Sequence, residues 1–256
     1  MSRLKKLFEE KSNRILNVYC TAGYPELNST IEVLKGLQDN GADIIELGIP
    51  YSDPLADGPV IQQSNAIALK NGMTLQVLFE QLKDLRRSIQ VPVLLMGYMN
   101  PVLQYGFEKF CSDADACGVD GLILPDLPPY EFEHLYGDMI KKNELNFIFL
   151  VTPETSDERI KKLDALSSGF IYAVSSSSTT GKNDQNTGLT VYLDRLKRLS
   201  LKNPVLVGFG ISNKQAFDTV CQHAAGGIIG SAYIKALENN TDVHAATKTF
   251  LSSILI

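Results

Sequence analysis

Short apolar runs alternate with longer amphipathic stretches along this chain, and that pattern predicts alternating strands and helices. Eight of the runs have strand character. Their starts lie roughly 20 to 50 residues apart, which leaves room for a crossover helix between parallel strands. The predicted strands cover residues 15–21, 43–49, 92–98, 121–125, 147–151, 170–175, 204–209 and 227–229.

The stretches between these runs carry apolar residues at helical spacing. In the first of them Ser29 and Thr30 are capping residues, and Val33, Leu34 and Leu37 form an apolar stripe. Further helices are predicted over residues 74–89, 107–117, 130–142, 156–166, 191–199, 213–221 and 243–255. An extra helix over residues 2–11 precedes the first strand.

Eight strand–helix units without an intervening linker predict an α/β fold. An open doubly wound sheet and a closed barrel both satisfy this order. The number of units and the absence of an early G-x-G-x-x-G sequence favour a single (β/α)8 TIM barrel. We therefore expect one catalytic domain over residues 1–256, with the extra N-terminal helix covering the barrel floor.

Composition and charge narrow the class of protein. The net charge of -5 argues against a nucleic-acid or anionic-membrane partner. The first residues lack the apolar segment of a signal peptide, and no run approaches a membrane span, so we expect a cytoplasmic protein. The four cysteines have no metal-site spacing, and the three histidines fall on predicted helices or just after one, so neither a metal site nor a catalytic triad is expected.

An acidic residue interrupts the second apolar run. Burial of Glu46 there would raise its pKa toward the range that proton transfer near neutral pH needs. Asp57 follows in the loop after the same strand, where α/β barrels place catalytic groups. The pair predicts acid–base catalysis. The alternative is that Glu46 pairs with a structural lysine or arginine and Asp57 is a turn residue before Gly58.

Glycines after the last two strands predict a phosphate site. Gly208 and Gly210 lie at the end of the seventh strand and just after it, whereas Gly230 and Ser231 follow the eighth strand and open a helix. Glycine lets the backbone approach a ligand closely, and barrels often bind phosphate with these two loops. The alternative is that these glycines merely separate strands from helices.

An apolar pocket large enough for an aromatic ring is predicted at the strand ends. Its candidate lining residues are Tyr19, Leu95, Tyr98, Leu124, Tyr172 and Phe209. Packing of the barrel interior is the alternative for some of them. The polar stretch over residues 175–188 is either a mobile lid or a plain surface loop.

Together these residues resemble the tryptophan synthase alpha subunit family over nearly the whole chain. The most specific match is the segment from Glu46 to Pro59. The supporting blocks are Tyr98-Met99-Asn100-Pro101, Gly118-Val119-Asp120-Gly121, Thr180-Gly181, Gly208-Phe209-Gly210-Ile211 and Gly230-Ser231-Ala232. The resemblance implies a lyase that cleaves indole-3-glycerol phosphate to indole and glyceraldehyde 3-phosphate in tryptophan biosynthesis.

The resemblance also implies partners and residue roles. It implies an alpha2-beta2 heterotetramer in which a beta subunit receives the indole and holds pyridoxal phosphate, while this chain holds no cofactor. Glu46 corresponds to the catalytic acid–base, and Asp57 to the acceptor of the indole N–H. The implied substrate-binding residues are Tyr19, Leu95, Tyr98, Leu124, Tyr172, Thr180, Gly181, Phe209, Gly210, Gly230 and Ser231. The implied beta-contacting residues are Pro50, Asp53 and Pro54, which we expect on the exposed side of the loop after the second strand.

The chain departs from the family pattern at one place, and two other functions are alternatives to the one that the resemblance implies. Many family members carry an arginine two positions after the end of the sixth strand, whereas this chain has a serine run over residues 175–178. The resemblance therefore does not identify the contacts that close the lid. Another phosphate-binding barrel, such as a sugar-phosphate isomerase or epimerase, would share the late glycine loops but not the segment from Glu46 to Pro59. A non-catalytic activator of a beta subunit would not need both Glu46 and Asp57.

Overall fold

The structure, a computed structural model, describes residues 2–174, 182–208, 210–238, 240 and 242–256, with only the backbone for 182–187. It contains one sheet of parallel strands in the order β5-β4-β3-β2-β1-β9-β8-β7-β6. The strands are β1 Ile15–Thr21, β2 Ile44–Gly48, β3 Val93–Met96, β4 Gly121–Ile123, β5 Asn146–Phe147, β6 Leu150–Val151, β7 Ile171–Val174, β8 Val205–Gly208 and β9 Gly226–Ile229.

The two ends of this sheet meet in one short stretch of chain. Strand β5 pairs with β4, and β6, which begins three residues after β5 ends, pairs with β7. Between them the Ile148 N–H donates to the Leu122 carbonyl at 3.0 Å, and the Phe149 carbonyl accepts from Tyr172 at 3.1 Å. The predicted barrel of eight strands is therefore confirmed, with the fifth strand in two pieces.

Helices alternate with the strands and cover the outside of the barrel. They are α1 Arg3–Glu10, α2 Thr30–Asp39, α3 Pro59–Lys70, α4 Leu75–Leu82, α5 Leu85–Ser88, α6 Met99–Tyr105, α7 Phe107–Ala116, α8 Pro129–Glu131, α9 Gly137–Lys142, α10 Asp157–Leu166, α11 Lys182–Arg198, α12 Lys214–Cys221, α13 Ser231–Leu237 and α14 Val243–Leu255. A 3-10 turn spans Leu27–Ser29, and a π-helical turn spans Phe132–Tyr136.

The helix after the sixth strand differs from its prediction. The sequence predicts a loop over residues 175–188 and a helix from 191, whereas α11 already begins at Lys182. The loop prediction is therefore wrong from residue 182 onward, and its first part, residues 175–181, lies outside the described residues. Polar side chains are typical of loops, but they are also accommodated at the start of a helix, so composition alone did not locate the boundary.

The predicted cap on the barrel floor is confirmed. Helix α1 begins after Ser2, whose hydroxyl accepts from the Lys5 N–H at 3.2 Å. Its Leu4 is fully buried in the barrel interior, among residues at the N-terminal ends of the strands. Phe8 packs on Phe170 with ring centroids 6.2 Å apart. The floor is thus closed, and the opposite end, where the strands finish, is left for ligands.

Candidate active site

Glu46 lies at the centre of β2 with no exposed surface. It is two residues after Ile44, which packs in the barrel interior, so period-two alternation places its side chain inside the barrel. The Asn17 amide nitrogen on β1 donates to Glu46 Oε1 at 2.5 Å, whereas Glu46 Oε2 has no hydrogen-bond partner within the described residues.

Burial raises the pKa of Glu46 from 4.5 to about 8, and the hydrogen bond from Asn17 partly opposes that rise. Among the described residues, no lysine or arginine forms an ion pair with this carboxyl. The alternative of a structural ion pair at Glu46 is therefore wrong in the described part of the chain. A carboxyl that stays protonated near neutral pH is suited to donate a proton.

Asp57 lies in the loop between β2 and α3, next to Gly58, the N-cap of that helix. Partial burial raises its pKa from 3.8 to about 6, and a hydrogen bond from the Tyr98 hydroxyl opposes the rise. The same hydroxyl accepts from the Ala56 N–H at 3.1 Å, so Tyr98 ties this loop to the end of β3. Asp57 is thereby held beside the barrel mouth and is ionised above about pH 6.

A cavity of about 600 Å³ opens at the C-terminal end of the barrel. This volume lies in the range of small-molecule sites. The cavity brings together several predicted residues, namely Tyr19, Asp57, Tyr172, Gly210, Gly230 and Ser231. The other lining residues are Ala56, Gly58, Ile61, Met96, Pro125, Leu150, Thr152, Val174, Ile211, Ser212, Ile228, Ala232 and Lys235.

Two tyrosines link this cavity to the buried carboxyl. Burial raises the pKa of the Tyr19 and Tyr172 hydroxyls, and the nearby charges of Glu46 and Asp57 raise both further. Glycines on the neighbouring strands make room for the rings. A Cβ atom at Gly48 would collide with the Tyr19 hydroxyl, and one at Gly208 would collide with the Tyr172 ring. The glycines at these two positions therefore leave space for the two tyrosine rings, which form the aromatic floor of the cavity.

The glycine loops follow β8 and β9, and only β1 separates β9 from Asp57's strand β2 in sheet order. Gly210 follows β8 with φ +76°, a left-handed conformation that favours glycine. Gly230 and Ser231 follow β9 at the start of α13. Lys235, on the last turn of the short helix α13, supplies a positive charge among the described lining residues. Sequence reasoning missed Lys235, although its place four residues after Ser231 was a usable signal.

Three predicted pocket residues do not line this cavity. Leu95 and Leu124 are buried in the cluster between strands and helices, whereas Met96 and Pro125 line the cavity. The prediction of these two lining positions is wrong by one residue, and one residue along a strand moves a side chain to the other face. Tyr98 contacts Asp57 rather than the cavity wall. The predicted residues Thr180, Gly181 and Phe209 lie outside the described residues.

The predicted partner loop is only partly exposed. Asp53 is exposed, but Pro50 and Pro54 are buried, so the expectation that all three face outward is wrong for the two prolines. Leu55, which the sequence analysis did not single out, is 93% exposed in the same loop. The described residues contain no cluster of His, Cys, Asp or Glu suited to a metal ion, and no described helix is both long and apolar enough to span a membrane.

Comparisons with known proteins agree with this geometry. The sequence profile described as "Tryptophan synthase alpha chain" matches residues 4–253. The tryptophan synthase alpha chain of Parabacteroides distasonis is 48% identical over 255 residues, covering 99% of each chain.

Solved structures show the same likeness. Tryptophan synthase subunit alpha from Legionella pneumophila superposes with a TM-score of 0.90 at 35% identity, covering 99% of this chain and 97% of that one. A chain of tryptophan synthase from M. tuberculosis, in an aminoacrylate-bound form, gives a TM-score of 0.86 at 31% identity, covering 99% and 100%. The chain therefore belongs to the tryptophan synthase alpha chain family, whose members cleave indole-3-glycerol phosphate to indole and glyceraldehyde 3-phosphate.

Proposed function

We propose that Glu46 and Asp57 carry out this cleavage in opposite protonation states. The observation that supports this is the separation of their pKa values, about 8 for Glu46 and about 6 for Asp57. Between these values Glu46 holds a proton while Asp57 is ionised. Two carboxyls whose environments divide them in this way are suited to act as an acid and a charge acceptor.

The bond to be broken joins C3 of the indole ring to the carbinol carbon of the glycerol phosphate. Glu46 donates a proton to C3, and the positive charge that develops on the ring nitrogen is stabilised by the Asp57 carboxylate. Glu46 then accepts the proton of the carbinol hydroxyl as the carbon–carbon bond breaks. The bonding electrons restore the indole double bond, an aldehyde forms, and Glu46 is protonated again. Each proton transfer contributes about 10²–10⁴-fold to the rate.

The shape of the cavity suggests how the substrate lies. We place the phosphate against Gly210, Gly230 and Ser231, near the positive charge of Lys235. The indole ring then lies toward Tyr19 and the Asp57 loop. Because Glu46 has no exposed surface, its side chain must rotate toward the cavity to reach C3. Tyr172 lies at the floor of the cavity, near the glycerol part.

Three further residues complete the proposed site. We propose that Thr180, Gly181 and Phe209 contact the substrate, as the family resemblance implies, and that residues 1–256 work as one catalytic domain. No feature of the described residues favours a sugar-phosphate isomerase, an epimerase or a non-catalytic activator.

Alpha chains of this family partner with a beta subunit, which holds pyridoxal phosphate, and carry no cofactor themselves. We propose that this chain docks a beta subunit in a cytoplasmic heterotetramer through the loop that contains Pro50, Asp53 and Pro54. The exposed Leu55 supports this placement, because a leucine with 93% of its surface in water gains from burial at an interface. The same loop carries Asp57, so partner binding and catalysis would be coupled.

The test compares wild-type protein with Glu46→Gln and Asp57→Asn, each supplied with indole-3-glycerol phosphate and a beta subunit. Both variants keep the side-chain shape but remove an ionisable group. We expect kcat to fall by at least about 100-fold in each while glycerol phosphate analogues still bind. Turnover by Glu46→Gln within a few-fold of wild type would refute the role of Glu46.

A further inference from the structure

A second polar side chain is buried beside Glu46. Asn17 lies on β1 with no exposed surface, two residues after Ile15, which belongs to the apolar interior cluster. An apolar residue would fill this interior position without the cost of removing an amide from water. The buried amide of Asn17 must therefore be explained by the group that it contacts.

The contact is with the proposed acid–base group. Asn17 Nδ2 donates to Glu46 Oε1 at 2.5 Å. The other oxygens of the two side chains, Asn17 Oδ1 and Glu46 Oε2, are buried without hydrogen-bond partners among the described residues. The pair therefore holds an unused acceptor on the amide and an unused oxygen on the carboxyl.

The other ionisable groups that interact with Glu46 are all neutral or acidic. They are Tyr19 and Cys20 on β1 and Tyr172 on β7. None of them supplies a positive charge. The Asn17 hydrogen bond is the interaction in the described residues that favours the ionised carboxyl over the protonated one.

We propose that Asn17 is a positioning residue that sets the proton affinity of Glu46 between turnovers. Its amide nitrogen donates to the ionised carboxylate. After a turn of the amide, its oxygen accepts from the protonated carboxyl, so one side chain serves both states of an acid–base group. This inference rests on the proposed role of Glu46.

Replacing Asn17 by leucine keeps the side-chain shape but removes both the donor and the acceptor. The pKa of Glu46 should then rise by about one unit, because the hydrogen bond to the charged carboxylate is stronger than the one to the protonated carboxyl by roughly this amount. Asn17→Asp also keeps the shape but places a second carboxyl at the same point. Since two neighbouring carboxyls resist simultaneous ionisation, the last proton of that pair should leave at a still higher pH.

The direct test is a titration of the Glu46 side-chain carbon by NMR in protein labelled at glutamate Cδ, with the signal assigned by its loss in Glu46→Gln. We expect the pKa to increase in the order wild type, Asn17→Leu, Asn17→Asp. The matched control is Asn65→Leu on α3, which removes a similarly buried amide whose Oδ1 also lacks a partner. This control variant should leave the pKa of Glu46 unchanged.

A change of less than about 0.3 units in Asn17→Leu, or an equal shift in Asn65→Leu, would overturn the proposal. If Asn17→Leu does not fold, Asn17→Ala, which also removes both the donor and the acceptor, takes its place. A second readout is the alkaline limb of kcat/KM, which reports the pKa of the free enzyme and should move upward with the titration. The NMR titration does not depend on turnover. If Glu46 is not catalytic, the alkaline limb of kcat/KM does not report its pKa. The NMR titration alone then shows whether Asn17 shifts the pKa of Glu46.

Discussion

Replacing the buried carboxyl of Glu46 should stabilise the protein, and increasingly so as the pH rises. The folded state holds the proton of Glu46 up to about pH 8, whereas the carboxyl loses it near 4.5 when the chain is unfolded. Between these values the unfolded state binds fewer protons, so the free energy of unfolding falls as the pH increases. Glu46→Gln cannot ionise, and this loss should be absent from the variant.

The magnitude follows from the size of the shift. A rise from 4.5 to about 8 corresponds to about 5 kcal/mol at about 1.4 kcal/mol per pKa unit. Most of this penalty develops between about pH 5 and pH 9, where the linkage relation gives about 4 kcal/mol. Water that enters the barrel to solvate the carboxylate lowers this figure, so about 4 kcal/mol is the upper limit.

The assay is urea unfolding of wild type and Glu46→Gln at a series of pH values from about 5 to 9. Groups that titrate in both proteins cancel in the difference between the two free energies. Glu32→Gln, at an exposed position on α2, controls for the chemistry of the substitution. We expect the stability difference to grow in favour of Glu46→Gln by at least about 1 kcal/mol across the series. Parallel stability curves for the two proteins would refute the raised pKa.

Three further changes test other parts of the account. Leu4→Ala, at the fully buried floor position, should lower the free energy of unfolding by about 3–5 kcal/mol in urea titrations, while kcat of the folded enzyme stays unchanged. Loss of catalysis with unaltered stability would contradict the separation of the barrel floor from the active site. Gly210→Val, at φ +76°, should weaken binding of glycerol phosphate at least about tenfold in calorimetry but leave free indole binding intact, and equal losses would indicate a general packing defect. Asp53→Ala should reduce activation by a beta subunit more than the basal rate, and unchanged activation in a complex that still forms would place the coupling elsewhere.

The barrel was predictable because its strands are buried on both faces and therefore appear as apolar runs between amphipathic stretches. The first strand coincides with its predicted range, and the others differ by a few residues at their ends. Helix α3 was not predicted, although Pro59 at its first position is typical of a helix start. The early start of α11 was hidden by polar residues that suit both loops and helices.

Site residues were predictable where their chemical type is unusual for their place in the sequence. They were not predictable where only the three-dimensional arrangement of the strands identifies them. Glu46 stood out because a carboxyl in an apolar run demands an explanation. Leu95 was wrongly assigned to the pocket wall beside Met96, since only the register of β3 shows which of two adjacent residues faces the interior. Asn17 was missed because its meaning depends on a contact with β2, which no pattern within β1 reveals.

The most direct test of the central claim is the pH profile of kcat/KM for cleavage of indole-3-glycerol phosphate by the wild-type chain, compared with Glu46→Gln. The active form requires ionised Asp57 and protonated Glu46. We predict a bell-shaped profile that rises near pH 6 and falls near pH 8, with almost no activity at any pH in the variant. A profile that stays flat through both values, or an active Glu46→Gln with the same alkaline limb, would contradict it.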